Sequence, residues 1–434
     1  MSGFTLSTDD FSLVATGDSL IFQRVSVFKE PGFLKVRELI RGADAAFNNF
    51  ETIIPAGTGY PRYKRDPTTW MTSPPYVLYE LVWMGFNIFS LANNHSMDYS
   101  AEALLETKRR FDEASIPNAG TGSNLAEARA PAYLNTEKGR VALIAVNTGD
   151  TDGLAGYARE TVQGRPGLNP LRYDTTYVLP EAEFQQLTKI AEKLGLPVPS
   201  DGALNFLGSR FQLGDEADIV TKPHGPDVEG NLNSVREARR NADYVLVSIH
   251  NHIKRRPGEH YFDDTIEHLS GFVETFSKAA VDAGADAVLG HGHHCLNGIE
   301  VHRGKPIFYG LGNFITQSYA ANPKPYDWYE ARGFHTERFP DESDVLHPDL
   351  GGEAERRKIR RQTTSVVARI EFSGGEPTHL LLHPLEMPRD HVQGGRPLMA
   401  EGDSAAEILG RLSKLSSEYG TEIKIDGKTG VVTL

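Results

Sequence analysis

The sequence predicts an α/β protein built on parallel-rich sheets, and three observations carry that prediction. Short, continuous apolar runs recur through residues 10–315, and continuous rather than alternating runs mark strands covered on both faces. Stretches with the helical period lie between them, so strand and helix alternate. Each run is followed at once by small, polar or Gly-rich residues, the places where ligands gather at the carboxyl ends of an open parallel sheet.

In order, the runs are Ser12–Thr16, Ala43–Phe47, Phe86–Leu91, Val141–Val146, Tyr244–Ile249, Ala287–Leu289 and Ile307–Tyr309. Between them, Ser100–Ala114 carries Leu104, Leu105, Lys108 and Phe111 at helical spacing, with Ser100 as its N-cap. Glu267–Ala283 places Leu269, Phe272, Val273, Phe276 and Ala280 on one stripe, and Gly284 stands at the C-cap position. Residues 149–235 break the alternation with many Gly, Pro and Asp, a helix near Glu181–Leu194 and an aromatic element around Phe206–Phe211. Residues 316–362 are aromatic, proline-rich and charged, with no sustained period. Both stretches read as insertions over strand ends, lids or substrate walls within a single domain spanning 1–434. Residues 363–434 complete that domain. Ser365–Phe372 and His379–Pro384 pair across Gly374-Gly375, and a closing helix, Ser404–Tyr419, is followed by a short terminal hairpin.

A formal net charge of -13 with 39% hydrophobic and 24% charged residues describes a soluble globular protein and argues against a phosphate-backbone partner. Nucleic acid is therefore not an expected partner. The single cysteine, Cys295, excludes a disulfide within the chain and a cysteine-rich zinc site; it is read as structural. No apolar run reaches 18 residues, so no membrane span is expected. The start, MSGFTLSTDDF, lacks the basic and apolar regions of a secretory signal, and the cytoplasm is the expected location.

Metal-capable residues sit directly after the apolar runs: Asp18, Asn49 with Glu51, Asn94 and His95 with Asp98, His250 with His252, then His291, His293 and His294. Of the 15 histidines, two post-strand segments, HNH and HGHH, hold these last five. A mixed set of imidazole, carboxylate and amide oxygen suits a hard or borderline divalent ion and not a thiolate-loving one. Asp18, Glu51, Asn94, His250, His291 and His293 are the candidate ligands for one or two ions of Mn, Zn, Fe or Ca. A carboxylate between two histidine-rich arms is able to bridge a pair of ions.

Basic residues stand near both arms. Arg62, Lys64 and Arg65, close to Trp70, face the chain segment His252, Lys254, Arg255 and Arg256 in the sequence logic of the site. Together they form either a cationic wall for a phosphate or carboxylate substrate, or ordinary exposed basic side chains. Asp98, three residues beyond His95, either orients the His95 ring or caps the helix that follows. Gly310-Leu311-Gly312-Asn313 lacks the Gly-Lys-Ser/Thr of a P-loop, and its glycines are read as permitting a tight turn beneath the site.

The segments GDSL, NNFET, SLANNHSMDYS, NAGTGSNLAEARAP, VSIH, GADAVLGHGHH and GKPIFYGLGNFI, in this order, resemble the CapA family, the poly-gamma-glutamate capsule biosynthesis proteins. The likeness covers about residues 10–148 and 240–315 and implies a metallophosphoesterase-like (calcineurin-like) β-sandwich flanked by helices. It implies Asp18 as the first-motif aspartate, Glu51 in the place of the bridging Asp, and Asn94, His250, His291 and His293 as ligands. His95 is implied as the unliganded acid–base or oxyanion-stabilising histidine. The usual first motif is Asp-x-His; here Leu20 stands where the histidine would be and cannot bind a metal.

The function implied is a metal-dependent hydrolase acting on a peptide-like, gamma-glutamyl amide or a phosphoester, with His95 as acid or base. Two alternatives differ in class. One is a peptide epimerase moving a proton at an alpha-carbon, with metal optional. The other is a non-catalytic capsule-biosynthesis factor. Alpha-proton exchange in heavy water without cleavage separates epimerisation from hydrolysis, and metal content separates both from a scaffold.

Overall fold

The computed structural model describes residues 10–64, 70–149, 153–198, 201–252, 271–317, 324–331, 359–388 and 394–434. Among these, two large sheets, of ten and six strands, carry the architecture. The ten-stranded sheet is centred on Phe11–Leu20, which pairs in parallel with Ala45–Phe50 and Asn313–Thr316 and antiparallel with Thr364–Ser373. From Ala45–Phe50 it continues in parallel to Ile88–Ser90. The six-stranded sheet is centred on Tyr244–His250, flanked in parallel by Gly139–Asn147 and Ala287–His291.

Period-two geometry explains why these strands are apolar throughout. Phe11, Leu13 and Ala15 join Val141, Leu143, Ala145, Leu246 and Leu289 in the core between the two sheets. The intervening residues serve different cores. Val14, Ala46 and Phe89 pack under the helices Pro31–Arg41, Val77–Met84 and Ser100–Glu113. Ala142, Ile144, Val245 and Val247 pack under Gly225–Asn241 and Gly271–Asp282. The result is a four-layer arrangement of helix, sheet, sheet and helix.

The C-terminal segment adds antiparallel strands to the larger sheet. Thr364–Ser373 and Glu376–Glu386 pair with Ser373 opposite Glu376, leaving Gly374 and Gly375 as a two-residue turn. Their φ angles of 60° and 84° are those a tight hairpin of this hand requires, and only glycine adopts both without cost. The closing helix is Gly402–Ser417, and Lys424–Asp426 with Thr429–Thr433 forms the terminal hairpin.

Three local expectations are corrected. Ser100 does not cap its helix: Tyr99 occupies the cap position without a side-chain bond, and Ser100 adopts φ 69°. The stretch that opens at 149 holds more regular structure than its composition suggests. Tyr173–Leu179, Ala203–Phe206, Ser209–Leu213 and Asp218–Pro223 form a separate four-stranded sheet beside the helix Glu181–Lys193. Residues 225–235 belong to the outer helix Gly225–Asn241. Tyr173 stacks on Phe272 at 5.1 Å and ties the small sheet to the outer helical layer.

Candidate metal centre

Parallel pairing brings the strand ends of both sheets to one edge of the sandwich. Asp18 lies opposite Asn49 and Asn313 across a break in register, and such bulges re-aim a side chain. The close approach that shapes this break needs glycine: a Cβ on Gly17 would sit 1.8 Å from the Gly312 carbonyl oxygen. On the smaller sheet His250 lies opposite both Asn147 and His291, so the two histidines emerge side by side.

Asp18, Glu51, His250 and His291 are all buried. Asp18 Oδ1 accepts from Asn49 Nδ2 at 2.8 Å and lies 3.2 Å from His291 Nδ1, while Oδ2 accepts from the Gly292 amide at 2.9 Å. His250 is the hub of the imidazoles. Its Nδ1 is 3.0 Å from His291 Nδ1, and its Nε2 is 2.9 Å from His252 Nε2 and 3.0 Å from Asn94 Oδ1. Ser248 Oγ, 2.7 Å from His291 Nε2, fixes the far side of that ring. Three groups have donor atoms within 4.8 Å of one another: Asp18, His250 and His291; Glu51, His250 and His252; and Asp18, Glu51 and His294.

The electrostatics suit a cation. Burial, then the nearby Asp18 and Asp98 charges, pushes the Glu51 carboxyl well above its ordinary range. Among the described residues neither Glu51 oxygen has a hydrogen-bond partner, although both are buried. Burial and neighbouring imidazoles hold His250 and His252 well below the usual histidine value, which leaves them neutral with lone pairs for coordination. Asp18 is also penalised by burial, but the surrounding His291 and His294 overcome this and hold it well below the carboxylate range. Two buried carboxyl groups facing neutral imidazoles, one of them with no donor, are costly without a counter-charge. The residues present fit a divalent ion.

His294, which the sequence placed among the metal-capable residues but not among the candidate ligands, also stands in one of the three groups. Its Nδ1 lies 3.5 Å from Asp18 and 3.7 Å from Glu51, and 2.9 Å from Asn313 Oδ1. It adopts φ 61°, an uncommon backbone conformation for a non-glycine residue. His293 is buried with its ring centroid 6.4 Å from that of His252, and it belongs to none of the three groups. Of the three histidines in HGHH, the family resemblance implies 291 and 293 as ligands. Gly292, between them, adopts φ 107°, a backbone conformation that favours glycine. Asn93, which the sequence did not single out, donates its Nδ2 to the Phe50 carbonyl at 2.8 Å, next to Glu51.

Leu20 is buried with Phe22 and Met71 and fills its position with apolar packing. Beside the ligand cluster, His95 Nδ1 is 2.7 Å from Asp98 Oδ2. Asp98 Oδ2 also accepts from the Met71 amide at 2.7 Å, and Lys64 Nζ lies 2.6 Å from its Oδ1. Asp98 therefore orients the ring and does not cap the helix. Burial pulls the His95 pKa down more than the Asp98 charge raises it, so the ring is neutral near pH 7.

The basic residues are more dispersed. Arg62 donates its amide to the Asp98 carbonyl at 2.9 Å, and Trp70 Nε1 donates to the Arg62 carbonyl at 3.0 Å. Trp70 is fully buried against Trp328 and Tyr329, and Lys64 points inward to Asp98. Arg65, Lys254, Arg255 and Arg256 lie outside the described residues. Cys295 is buried, with its thiol against the His293 carbonyl, and burial raises its pKa; a structural role fits. Among the described residues no helix is long and apolar enough to cross a membrane.

Residues 12–318 match the family model described as bacterial capsule synthesis protein PGA_cap. An uncharacterized protein, y4sH, of Sinorhizobium fredii is 32% identical over 441 residues, covering 98% of this chain and 94% of that protein. The capsule biosynthesis protein CapA of Bacillus anthracis is 26% identical over 65% of this chain and 53% of its own length. The PGA biosynthesis protein CapA of Bacillus subtilis is 25% identical over 72% of this chain and 64% of its own length. With its buried carboxylate–histidine cluster at the strand ends and a family match over residues 12–318, the chain belongs to the bacterial capsule synthesis protein (PGA_cap) family.

Proposed function

We propose that this protein is a metal-dependent hydrolase of metallophosphoesterase-like fold, acting on a peptide-like, gamma-glutamyl amide or a phosphoester. The observation that carries the reading is a neutral, buried histidine held by a carboxylate at the edge of a cation-demanding cluster. Asp18, Glu51, His250, His291 and Asn94 would hold the ion, with His252 and His294 completing the donor set and the buried His293 beside His252. A bound divalent ion supplies Lewis-acid polarisation and a lowered pKa for water. The chain's own part is proton management. With Asp98 accepting at Nδ1, His95 presents Nε2 to the reacting group, where it takes or returns a proton.

The names of the Bacillus relatives favour a polyglutamate-related substrate, and an anionic chain of that kind suits a cation such as Arg62, whose carbonyl accepts from Trp70 Nε1. The described parts of 149–235 and 316–362 are proposed to cover this edge, most of the second stretch lying outside the described residues. In support, Gly149 would bring a Cβ within 3.7 Å of His252, and Trp328 packs on Trp70.

The test is turnover of two chromogenic probes, gamma-glutamyl-p-nitroanilide and bis(p-nitrophenyl) phosphate, by Mn-loaded and Zn-loaded protein. Metal-stimulated release of p-nitroaniline or p-nitrophenol is expected. The second reading is the epimerase, with which Leu20 in the place of a motif histidine is compatible. Alpha-deuterium uptake by a glutamyl peptide in heavy water, with no cleavage of either probe, selects it.

A further inference from the structure

The Lys64 ammonium, although it belongs to a basic stretch of the kind that faces substrate, turns away from solvent. Its side chain is 14% exposed, and Nζ lies 2.6 Å from Oδ1 of the fully buried Asp98 carboxyl. The Trp70 ring, 5.2 Å from Nζ, covers it on one side. Trp70 is itself locked by its bond to the Arg62 carbonyl and by packing on Trp328 and Tyr329. The Arg62 amide donates to the Asp98 backbone carbonyl, so the loop is clamped to the His95–Asp98 turn at two points.

We propose that Lys64 is a positioning residue which, through Asp98, selects the imidazole tautomer that His95 uses in proton transfer. The inference rests on the reading of His95 as the acid–base group. An ionised carboxylate is an acceptor only, whereas a protonated one also donates. Asp98 Oδ2 already accepts from the Met71 amide. With a cation against Oδ1, the carboxyl stays ionised in its buried setting. His95 Nδ1 must then carry the proton it shares with Oδ2, and Nε2 is left with its lone pair. Without the cation, a buried carboxyl that keeps its proton is able to donate to Nδ1 and move the ring proton to Nε2. Lys64 thereby acts on the chemistry without touching substrate. The aromatic clamp extends the support to Trp328, in a segment distant in sequence from the catalytic loop.

The experiment uses the full chain with 15N-labelled histidine, the His95 signals being assigned by their loss in His95→Asn. Long-range proton–nitrogen spectra read the tautomer directly. Wild-type protein is expected to show the Nδ1–H form of His95. Lys64→Met is expected to shift it toward Nε2–H, and Lys64→Arg, which keeps the charge, to retain the wild-type form. Lys64→Gln, which keeps a donor for Asp98 but no charge, is the second variant and is expected to shift it as Met does. On whichever of the two p-nitrophenyl probes is turned over, Lys64→Met should lower kcat by roughly 10–100-fold with KM changed less than about twofold. An Nδ1–H tautomer in both neutral variants overturns the proposal, as does a raised KM at unchanged kcat, which marks a substrate contact. If wild-type protein turns over neither probe, the hydrolase reading fails, and the tautomer measurement still decides the role of Lys64.

Discussion

Glu51 makes the sharpest demand at the scale of single residues. Its carboxyl is buried without a hydrogen-bond donor among the described residues, and its pKa is raised by burial and by Asp18 and Asp98. A raised pKa favours the protonated carboxyl, and a bound cation would favour the ionised one. Metal binding should therefore release a proton, and affinity should rise as pH climbs toward the raised Glu51 value. Calorimetric titration with Mn in two buffers of different ionisation enthalpy reads the released proton, and identical heats in both would contradict the account. His294 and His293 give a second contrast. His294 faces both carboxylates, so His294→Ala should lower metal content more than His293→Ala, as elemental analysis will show. At His95, substitution by Asn should leave folding and metal content near wild type while turnover drops by roughly 10²–10⁴-fold. A structural histidine would show the reverse: lost stability and near-normal turnover per folded molecule.

Elements position these residues, and the tightest of those constraints is backbone to backbone. The Asp18 amide donates to Gly312 O at 3.0 Å, and that same oxygen would lie 1.8 Å from a Cβ on Gly17. Gly17→Ala cannot be absorbed by a side-chain movement. It should cost about 1–3 kcal/mol in urea unfolding and displace Asp18, with metal content falling in parallel. A stable variant with full metal would refute the close approach. The buried Asp227, in the first turn of Gly225–Asn241, is the corresponding anchor on the other sheet's outer face. Its carboxyl accepts from the Arg172 backbone amide and guanidinium and pairs with Arg129. Burial raises its pKa, but the Arg172 bonds and charge, with His224, bring it below the ordinary value. A depressed folded pKa contributes stability above the unfolded carboxyl value of about 3.9. That contribution is lost as pH falls through the lower folded value. Asp227→Asn should thus cost about 3 kcal/mol near neutrality, and the gap to wild type should close below about pH 4. An equal gap at pH 3 and pH 7 would show that the charge is not the source.

Elements differed in how far the sequence revealed them. Val141–Val146 and Tyr244–Ile249 were legible because every residue except Ser248 serves one of two cores. Tyr173–Leu179 was not. Its sequence YDTTYVL mixes exposed and half-buried positions, since its small sheet buries little apolar surface. The boundary at 235 fell inside a helix because GPDVEGNLNSVREARRN is polar on most of its circumference and shows only Leu232, Val235 and Ala238 as an apolar stripe.

At the scale of the whole molecule, the candidate centre joins the two halves of the sandwich. Asp18 and Glu51 come from the ten-stranded sheet and its following turn, His250 and His291 from the six-stranded sheet. An ion held by both would bind the folded state alone and stabilise it by mass action, about 2.7 kcal/mol at a hundredfold excess over Kd. The ligand types and most positions were readable because each follows a buried strand. The nearness of His294 to both carboxylates was not, because it rests on the backbone around Gly292 and on Asn313 from a strand that follows later in the chain. The inward turn of Lys64 was hidden for a similar reason: a lysine beside two arginines reads as surface until Asp98 and Trp70 are placed around it.

The central claim is that a divalent ion belongs between these carboxylates and imidazoles. Elemental analysis of wild-type protein and Glu51→Gln, each incubated with Mn or Zn and then dialysed, tests it most directly. The account predicts about one ion or more per wild-type chain and a marked loss in Glu51→Gln, which keeps the side chain's size but not its charge. Equal metal content in the two proteins, or none in the wild type under either metal, would contradict it.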